Sequence, residues 1–422
     1  MLRHCVVIFA AVSSLWTSHV AAQGHSAAMS AGQQVAAVAE SASTAAAAQQ
    51  LAGSKSNATD LHLRDYSPDG TGVRDSADAV QRWVNACIAA NVTCIADPGT
   101  YRLDRTITVG GGLHLAGAGK YLTKFVLGTA AMNGFAITTT APVHLQNFAV
   151  WGGGTQSAGA AFLFDSTTSE NDNSYFNNIY CNATWTCFRF VRGAYWTIRD
   201  SNFYAGRGPQ VIVDNLNNVD TGDSLFTGNK CIFGSSVADA NQVCLRWSGS
   251  GGLRVIGNKF LNGYRGLEFK IGSGSAGSLI IASNSVENAY ADQIYFGQGT
   301  AGTGLYTKVV VNGNELLGFG DASGIAMQAT ETASRWMHSL TITANNIEIN
   351  GDGKGTRPVG ISVNQTSKGL VTGNMVVCHN AAASSVAFRI GSSNDNFAHS
   401  GNLAYGCNFL VLNSATNQYS SF

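Results

Sequence analysis

Charge is scarce in this chain. Of 422 residues only 12% are charged, and 25 Lys+Arg balance 25 Asp+Glu to a formal net charge of zero. Such a chain has no electrostatic reason to seek nucleic acid or an anionic membrane surface. So little charge beside 45% hydrophobic residues also excludes a chain disordered throughout. Proline is scarcer still, at 5 residues against 49 glycines. Glycine in that excess, without a collagen period, implies many tight turns between short strands. Long apolar runs are missing too: none past the N-terminus reaches the ~18 residues that a membrane helix needs. There is no Cys-x-x-Cys, and the nine His show no His-x-x-x-His spacing, so neither a zinc site nor another metal or cofactor is expected.

What is present begins with a targeting signal. Arg3 supplies a positive start, Cys5 to Trp16 form a short apolar stretch, and Val20-Ala21-Ala22 offers small residues before a cut at Gln23. Residues 1–22 read as a secretory signal peptide, which predicts a secreted or periplasmic protein. Removing Cys5 leaves an even set of eight cysteines for an oxidising compartment. They fall into sequence neighbours: Cys87 with Cys94, Cys181 with Cys187, Cys231 with Cys244, and Cys378 with Cys407. Eight cysteines allow ~105 pairings, and the four local pairs are the expectation, with buried free thiols as the alternative. Residues 23–58 are rich in Ala, Ser and Gln without aromatics, a composition that cannot bury a core and reads as a flexible linker. The folded domain is expected over 59–422.

The domain opens with a turn at Asp69-Gly70, followed by one amphipathic helix. Asp75 or Ser76 can cap it, and Val80, Trp83, Val84, Cys87 and Ile88 make one apolar stripe. Beyond residue 140 the chain repeats. An alternating apolar run meets a small residue, then Asn, then a second short run, at Asn229, Asn258, Asn284, Asn314, Asn345, Asn374 and Asn402. Weaker copies stand at Asn147, Asn178 and Asn202. A period near 29 residues marks a solenoid. Period-2 alternation within each repeat makes the unit all-β, so the fold predicted is a single-stranded parallel β-helix of about ten coils. The Asn at one point of each coil can hydrogen-bond along the axis and tolerates the left-handed turn conformation. The helix over 77–90 is placed to cap the open N-terminal end.

One stretch carries a family signature. Asp65-Tyr66, Asp69-Gly70-Thr71-Gly72-Val73-Arg74-Asp75, Ala79-Val80-Gln81, Pro98-Gly99-Thr100-Tyr101 and Leu113-His114-Leu115-Ala116-Gly117-Ala118-Gly119 together resemble the N-terminal signature of the pectate-lyase-like superfamily. The nearest branch in appearance is the rhamnogalacturonase/epimerase type, with its glycoside hydrolases and phage tailspike depolymerases. The resemblance implies a right-handed β-helix and a carbohydrate substrate. It carries over no catalytic residue, because Asn-Thr-Asp, Asp-Asp, Gly-His-Gly and Arg-Ile-Lys motifs are all absent.

Candidate site residues therefore come from stacking geometry. Equivalent positions of adjacent coils lie ~4.8 Å apart. On the strand after each Asn-marked turn pair, Val243/Leu245, Leu267/Phe269, Ile294/Phe296 and Ile325/Met327 are expected to face inward. The residues between them, Cys244, Glu268, Tyr295 and Ala326, then face out. A second outward column runs Asp214, Arg246, Lys270, Gly297 and Gln328. Arg246, Arg265, Lys270 and Tyr295 are the candidate substrate-binding residues. In the superfamily's hydrolases a catalytic Asp precedes the inward residue by two. That position is held by Arg265 in one coil and Asp292 in the next, with Asp321 one coil further on. Backbones so placed are ~8 Å apart, within the range for the carboxyl pair of an inverting glycosidase. Asp292 and Asp321 are the candidate acid and base, with Glu268 and Asp239 in reserve. Equally, Asp292 could only pair with Arg265, and Glu268 only with Arg246 or Lys270, as surface ladders. Trp151, Trp185, Trp196 and Trp247 are either sugar platforms or packing residues. Three functions fit: a glycoside hydrolase, a polysaccharide lyase, or a glycan-binding surface protein.

Overall fold

The structure, a computed structural model, describes residues 60–421 apart from 155, 167–169, 215–221, 235–238, 272–274, 299–303, 320–323, 329–336, 351–357, 380–384, 392–393 and 414–417. The signal and linker segments and Asp321 lie outside the described residues.

The domain is a right-handed parallel β-helix. Three sheets of 14, 13 and 12 strands run along it, every strand pairing in parallel with the equivalent strand of the next coil. One coil shows the plan. Gly251–Ile256 lies in the first sheet, Asn258 turns the chain, Lys259–Leu261 lies in the second and Arg265–Ile271 in the third. Leu253, Val255, Phe260, Leu267, Phe269 and Ile271 all point inward and are buried. Alternation alone dictates this, since successive strand side chains face opposite sides. Parallel pairing then stacks like on like. Phe135, Phe162 and Phe188 stack on the third sheet with centroids 5.6 and 4.9 Å apart.

The Asn turns form one continuous ladder. Each side-chain amide donates to the Oδ1 of the Asn in the following coil, at 3.1 Å for Asn229 to Asn258 and 2.9 Å for Asn258 to Asn284. The same Oδ1 also accepts the backbone N–H of the preceding Asn, as in Asn258 to Asn284 at 3.0 Å. The ladder continues through Asn314, Asn345 and Asn374 to Asn402. The buried amides of the ladder are thereby satisfied by one another and by backbone carbonyls. The residue just before each Asn is left-handed, with φ of 65° at Gly228 and 67° at Gly257, which explains the Gly-Asn signature. The weaker copies differ from expectation. Ser201 takes the ladder position one coil earlier, bonded to Asn229 at 3.0 Å. Asn147 and Asn178 instead hold the left-handed position before the ladder, at φ 62° and 53°, and Asn202 lies on a strand.

The helix spans Ala77–Ala90 and contacts the strands Asp60–His62, Thr93–Ala96, Ile107–Val109 and Leu113–Gly117. Its Val80, Trp83, Val84 and Cys87 are buried, and the Trp83 indole donates to the Leu61 carbonyl at 2.8 Å.

All four local disulfides are present, so the alternative of free thiols at these positions is excluded. Cys87 is bonded to Cys94, with Cα atoms 5.6 Å apart, and ties the end of the helix to the strand that follows it. Cys181 is bonded to Cys187 at 5.8 Å, and Cys231 to Cys244 at 6.0 Å. Each of these two joins a second-sheet strand to the third-sheet strand of the same coil. Cys378 is bonded to Cys407 at 5.0 Å, and this pair instead links one coil to the next. No helix among the described residues is long and apolar enough to cross a membrane.

Candidate functional site

The third sheet decides which polar side chains meet. Its register pairs Ile212 with Arg246, Arg246 with Glu268, and Glu268 with Tyr295. This corrects the expected columns at one coil. Leu245 and Trp247, not Val243 and Leu245, align with the inward Leu267 and Phe269. Cys244 is not exposed as expected: it is buried and bonded to Cys231. Arg246 moves into the column of Glu268, and Asp214 pairs with Arg189 at 2.8 Å instead.

The shift creates a buried charge cluster. Glu268 is only 1% exposed. Its carboxylate meets Arg246 at 3.4 Å, Arg265 at 3.6 Å and the Lys270 ammonium. Glu268 is thus not the solvated surface carboxylate that alternation predicts, because cations from two adjacent rungs close over it. Burial pulls its pKa upward. Arg246, Lys270 and Arg265 together pull it down harder, so it stays below its ordinary value. A carboxylate held ionised in this way cannot serve as a proton donor near neutral pH. It holds Arg246, Arg265 and Lys270 together.

Arg265 links the cluster to the next carboxylate. Its guanidinium lies 3.8 Å over the Tyr295 ring and 5.0 Å over the Tyr264 ring, and donates to Asp292 at 3.3 Å. Asp292 is 6% exposed. Tyr290 stacks beside Tyr264, with ring centroids 6.1 Å apart. The Tyr295 phenol is raised above its usual range, first by burial and further by Asp292 and Glu268, although Arg265 opposes this. It therefore stays protonated and can donate a hydrogen bond. The structure brings Arg246, Arg265, Lys270, Tyr295, Glu268 and Asp292 of the candidate set together, with Tyr264 and Tyr290 beside them.

A cavity of about 510 Å³ adjoins this cluster, lined by residues that include Gln156, Trp185, Arg207, Asp239 and Gln242. The Gln242 carbonyl accepts the Tyr264 N–H at 2.7 Å, and Arg246 donates to the Ala240 carbonyl at 2.7 Å, so the turn beside the cavity is bonded to residues of the cluster. Asp239 also binds its own turn, accepting from the Asn241 N–H at 3.0 Å. Among the tryptophans, Trp185 lines this cavity. Trp196 and Trp247 are fully buried, and Trp196 stacks on Phe190 at 4.8 Å, so both are core residues. A second cavity, about 570 Å³ beside the helix, includes Ile88, Asn91, His114 and His144 in its lining. Its two imidazoles, His114 and His144, meet edge to face at 5.6 Å, and none of its lining residues is a carboxylate.

No family model and no curated protein matches the chain. Solved structures do. The Agl-KA catalytic domain superposes with a TM-score of 0.58 at 12% identity, over 86% of this chain and 69% of that one. The A-module of the mannuronan C-5 epimerase AlgE6 of Azotobacter vinelandii gives 0.51 at 15% identity, over 86% and 98%. The DFA-IIIase of Arthrobacter chlorophenolicus A6, without its lid, gives 0.50 at 12% identity, over 85% and 99%. At these identities the shared property is the fold, a right-handed parallel β-helix of about ten coils.

Proposed function

We propose that the chain is a secreted enzyme that hydrolyses a polysaccharide laid along the third sheet. The observation that carries this reading is the cavity lined by Trp185, Arg207 and Asp239 together with the nearby cluster of Tyr264, Arg265, Asp292 and Tyr295. It combines aromatic faces for sugar rings, donors for hydroxyls and carboxylates for acid–base work. The fold shared with a mannuronan epimerase supports a glycan substrate. The four disulfides support an extracellular or periplasmic location.

Salt-bridged to Arg265, Asp292 suits the ionised role, the base that activates water. Asp321, outside the described residues, is the proposed proton donor to the leaving oxygen, and Asp239, which lines the cavity, is its alternative. Incubation with a panel of polysaccharides, read by product mass, tests the reading. Each cut should add one water. Asp292→Asn should lower kcat by roughly 10²–10⁴. Full turnover in Asp292→Asn, Asp321→Asn and Asp239→Asn, each folded, would remove these carboxylates from the chemistry.

One observation favours a lyase as the second reading. Three cations face two carboxylates in the cluster, an excess that suits a uronate. Products with unsaturated ends and no added water would establish elimination.

A further inference from the structure

The outer face of the second sheet carries a different pattern. In register, its outward positions run Thr100, Lys124, Ala149, Tyr180, Asn202, Lys230 and Lys259 in one column. The neighbouring column runs Arg102, Val126, Trp151, Asn182, Tyr204, Ile232 and Leu261. These positions include four cations, and carboxylates stand only on the flanking rungs, Asp75 beside Arg102 at one end and Glu287 beside Leu261 at the other. Arg102 is paired with Asp104, and Lys259 with Glu287 on the following rung. Among the described residues Lys120, Lys124 and Lys230 have no carboxylate partner.

Aromatic rings lie among these lysines. Tyr121 is 63% exposed and Tyr204 46%. Tyr121 and Tyr180 meet edge to face at 5.6 Å. The Tyr180 phenol is raised above its usual range, by burial first, then by Tyr121 and Tyr204. Trp151 and Tyr204 stand two rungs apart, or ~9.6 Å along the axis. The Lys124 ammonium covers the Trp151 ring at 4.8 Å, and Lys120 stands 5.7 Å from the Tyr121 ring.

We infer that this face is a second, non-catalytic glycan-binding surface, which holds an acidic polysaccharide strand along Tyr121, Trp151, Tyr180 and Tyr204. The charge pattern argues for the acidic occupant, because cations without counter-charges invite anionic groups. The flat rings, with Asn182 and Asn202 between and beside them, supply apolar faces and amide hydrogen bonds for sugar rings and hydroxyls. Lys124 couples the two. A carboxylate that draws its ammonium aside uncovers the Trp151 ring. On the third sheet, the strand of the Trp151 coil is Ala160–Phe164, four rungs before Arg265–Ile271. Along the axis Trp151 is therefore ~19 Å from the cluster and Tyr204, two rungs nearer, ~10 Å, both on a different sheet. A long chain could be held on one face while a short one reacts on the other.

The test uses the full chain with polygalacturonate, neutral dextran and dextran sulfate, read by affinity electrophoresis at low and high salt. The double variant Tyr121→Ala/Tyr204→Ala changes only exposed side chains. It should weaken retention by polygalacturonate about tenfold. Lys124→Gln should weaken it to a similar degree at low salt. Neither variant should alter turnover of short oligosaccharides, and Asp292→Asn should leave retention unchanged, which separates this surface from the proposed active site. Parental retention in the double variant overturns the inference. So does equal retention of dextran and polygalacturonate, or a retention by dextran sulfate that Lys124→Gln lowers and the aromatic variant does not. A dimer that the double variant dissociates would assign the face to a second copy of the chain instead, and would also overturn it.

Discussion

Replacing Glu268 by Gln tests the cluster at its centre. Gln keeps the volume and one acceptor, but removes the single negative charge that Arg246, Arg265 and Lys270 share. Removing one partner of a buried ion pair costs ~3–5 kcal/mol, because the other charge is left buried and uncompensated. Here Arg246 and Lys270 are partly exposed and can turn toward water, whereas Arg265 is held between Tyr264 and Tyr295. The expected loss is therefore at the lower end, about 3 kcal/mol. Urea unfolding followed by tryptophan fluorescence measures it. The acid side of the stability curve gives an independent reading. The folded carboxyl is held below its ordinary value of 4.5, so the unfolded chain binds its proton first as the pH falls. Its contribution is complete above about pH 5 and drains away as the pH drops through the folded value. Glu268→Gln should lack that part of the acid slope. A variant as stable as the parent, with the same slope between about pH 5 and 3, would show that Glu268 is not an ionised buried partner, and the argument for a positioning role would fail.

Two further sets of substitutions test the frame that holds the site. Asn314 donates to the Ile281 carbonyl and Asn345 Oδ1, and accepts from the Asn284 N–H and side-chain amide. Asn314→Ala should cost about 3–4 kcal/mol in urea titration, by stranding buried donors at ~1–3 kcal/mol each. Asn402→Ala, at the partly exposed end of the ladder, should cost about 1 kcal/mol or less, since water replaces the lost partner; equal costs would reject the argument from burial. Trp83→Ala removes a fully buried ring and its bond to Leu61, and should cost ~3–5 kcal/mol. If the helix shields the first coil, the variant should also self-associate on sedimentation. A variant that stays monomeric at unchanged stability would reject the shielding role.

Much of the fold is legible because a stacked coil repeats its own constraints. A small residue followed by Asn, from Gly228-Asn229 to Gly401-Asn402, marks one turn in seven successive coils. The bonds of Cys87 to Cys94, Cys181 to Cys187, Cys231 to Cys244 and Cys378 to Cys407 follow from proximity along the chain, because a coil returns near its own start. The errors are equally physical. Val243, Leu245 and Trp247 share one alternation phase, so alternation alone does not say whether Val243/Leu245 or Leu245/Trp247 stacks on the next coil. Only pairing with Val211 and Leu267 fixes the register, and a shift by two places Arg246 beside Glu268. Asn147 and Asn178 mislead because the left-handed position beside the ladder suits Asn as well as Gly. The burial of Glu268 cannot be read locally, since Arg246 arrives from a strand 22 residues away. The second-sheet platform is hidden for a further reason. Three-residue strands such as Tyr180–Asn182 and Asn202–Tyr204 offer too little alternation to separate an outward ring from an inward one.

Parallel stacking also makes charge placement informative. Like charges one rung apart repel, so an unpaired cation column costs stability unless something offsets it. The third sheet meets this constraint within itself: Ile212 follows Arg189, Arg246 lies beside Glu268, and the Tyr295 ring takes the next rung. The second sheet does not. Lys230 abuts Lys259 directly, and Glu287 offsets only the latter. Lys124 rests on a Trp ring where a carboxylate at Ala149 or Asn182 would have neutralised it. In a chain whose acids and bases balance overall, charge left uncompensated on one face is a local choice. An external anion resolves it, and the rings beside the lysines select one carried by a sugar chain.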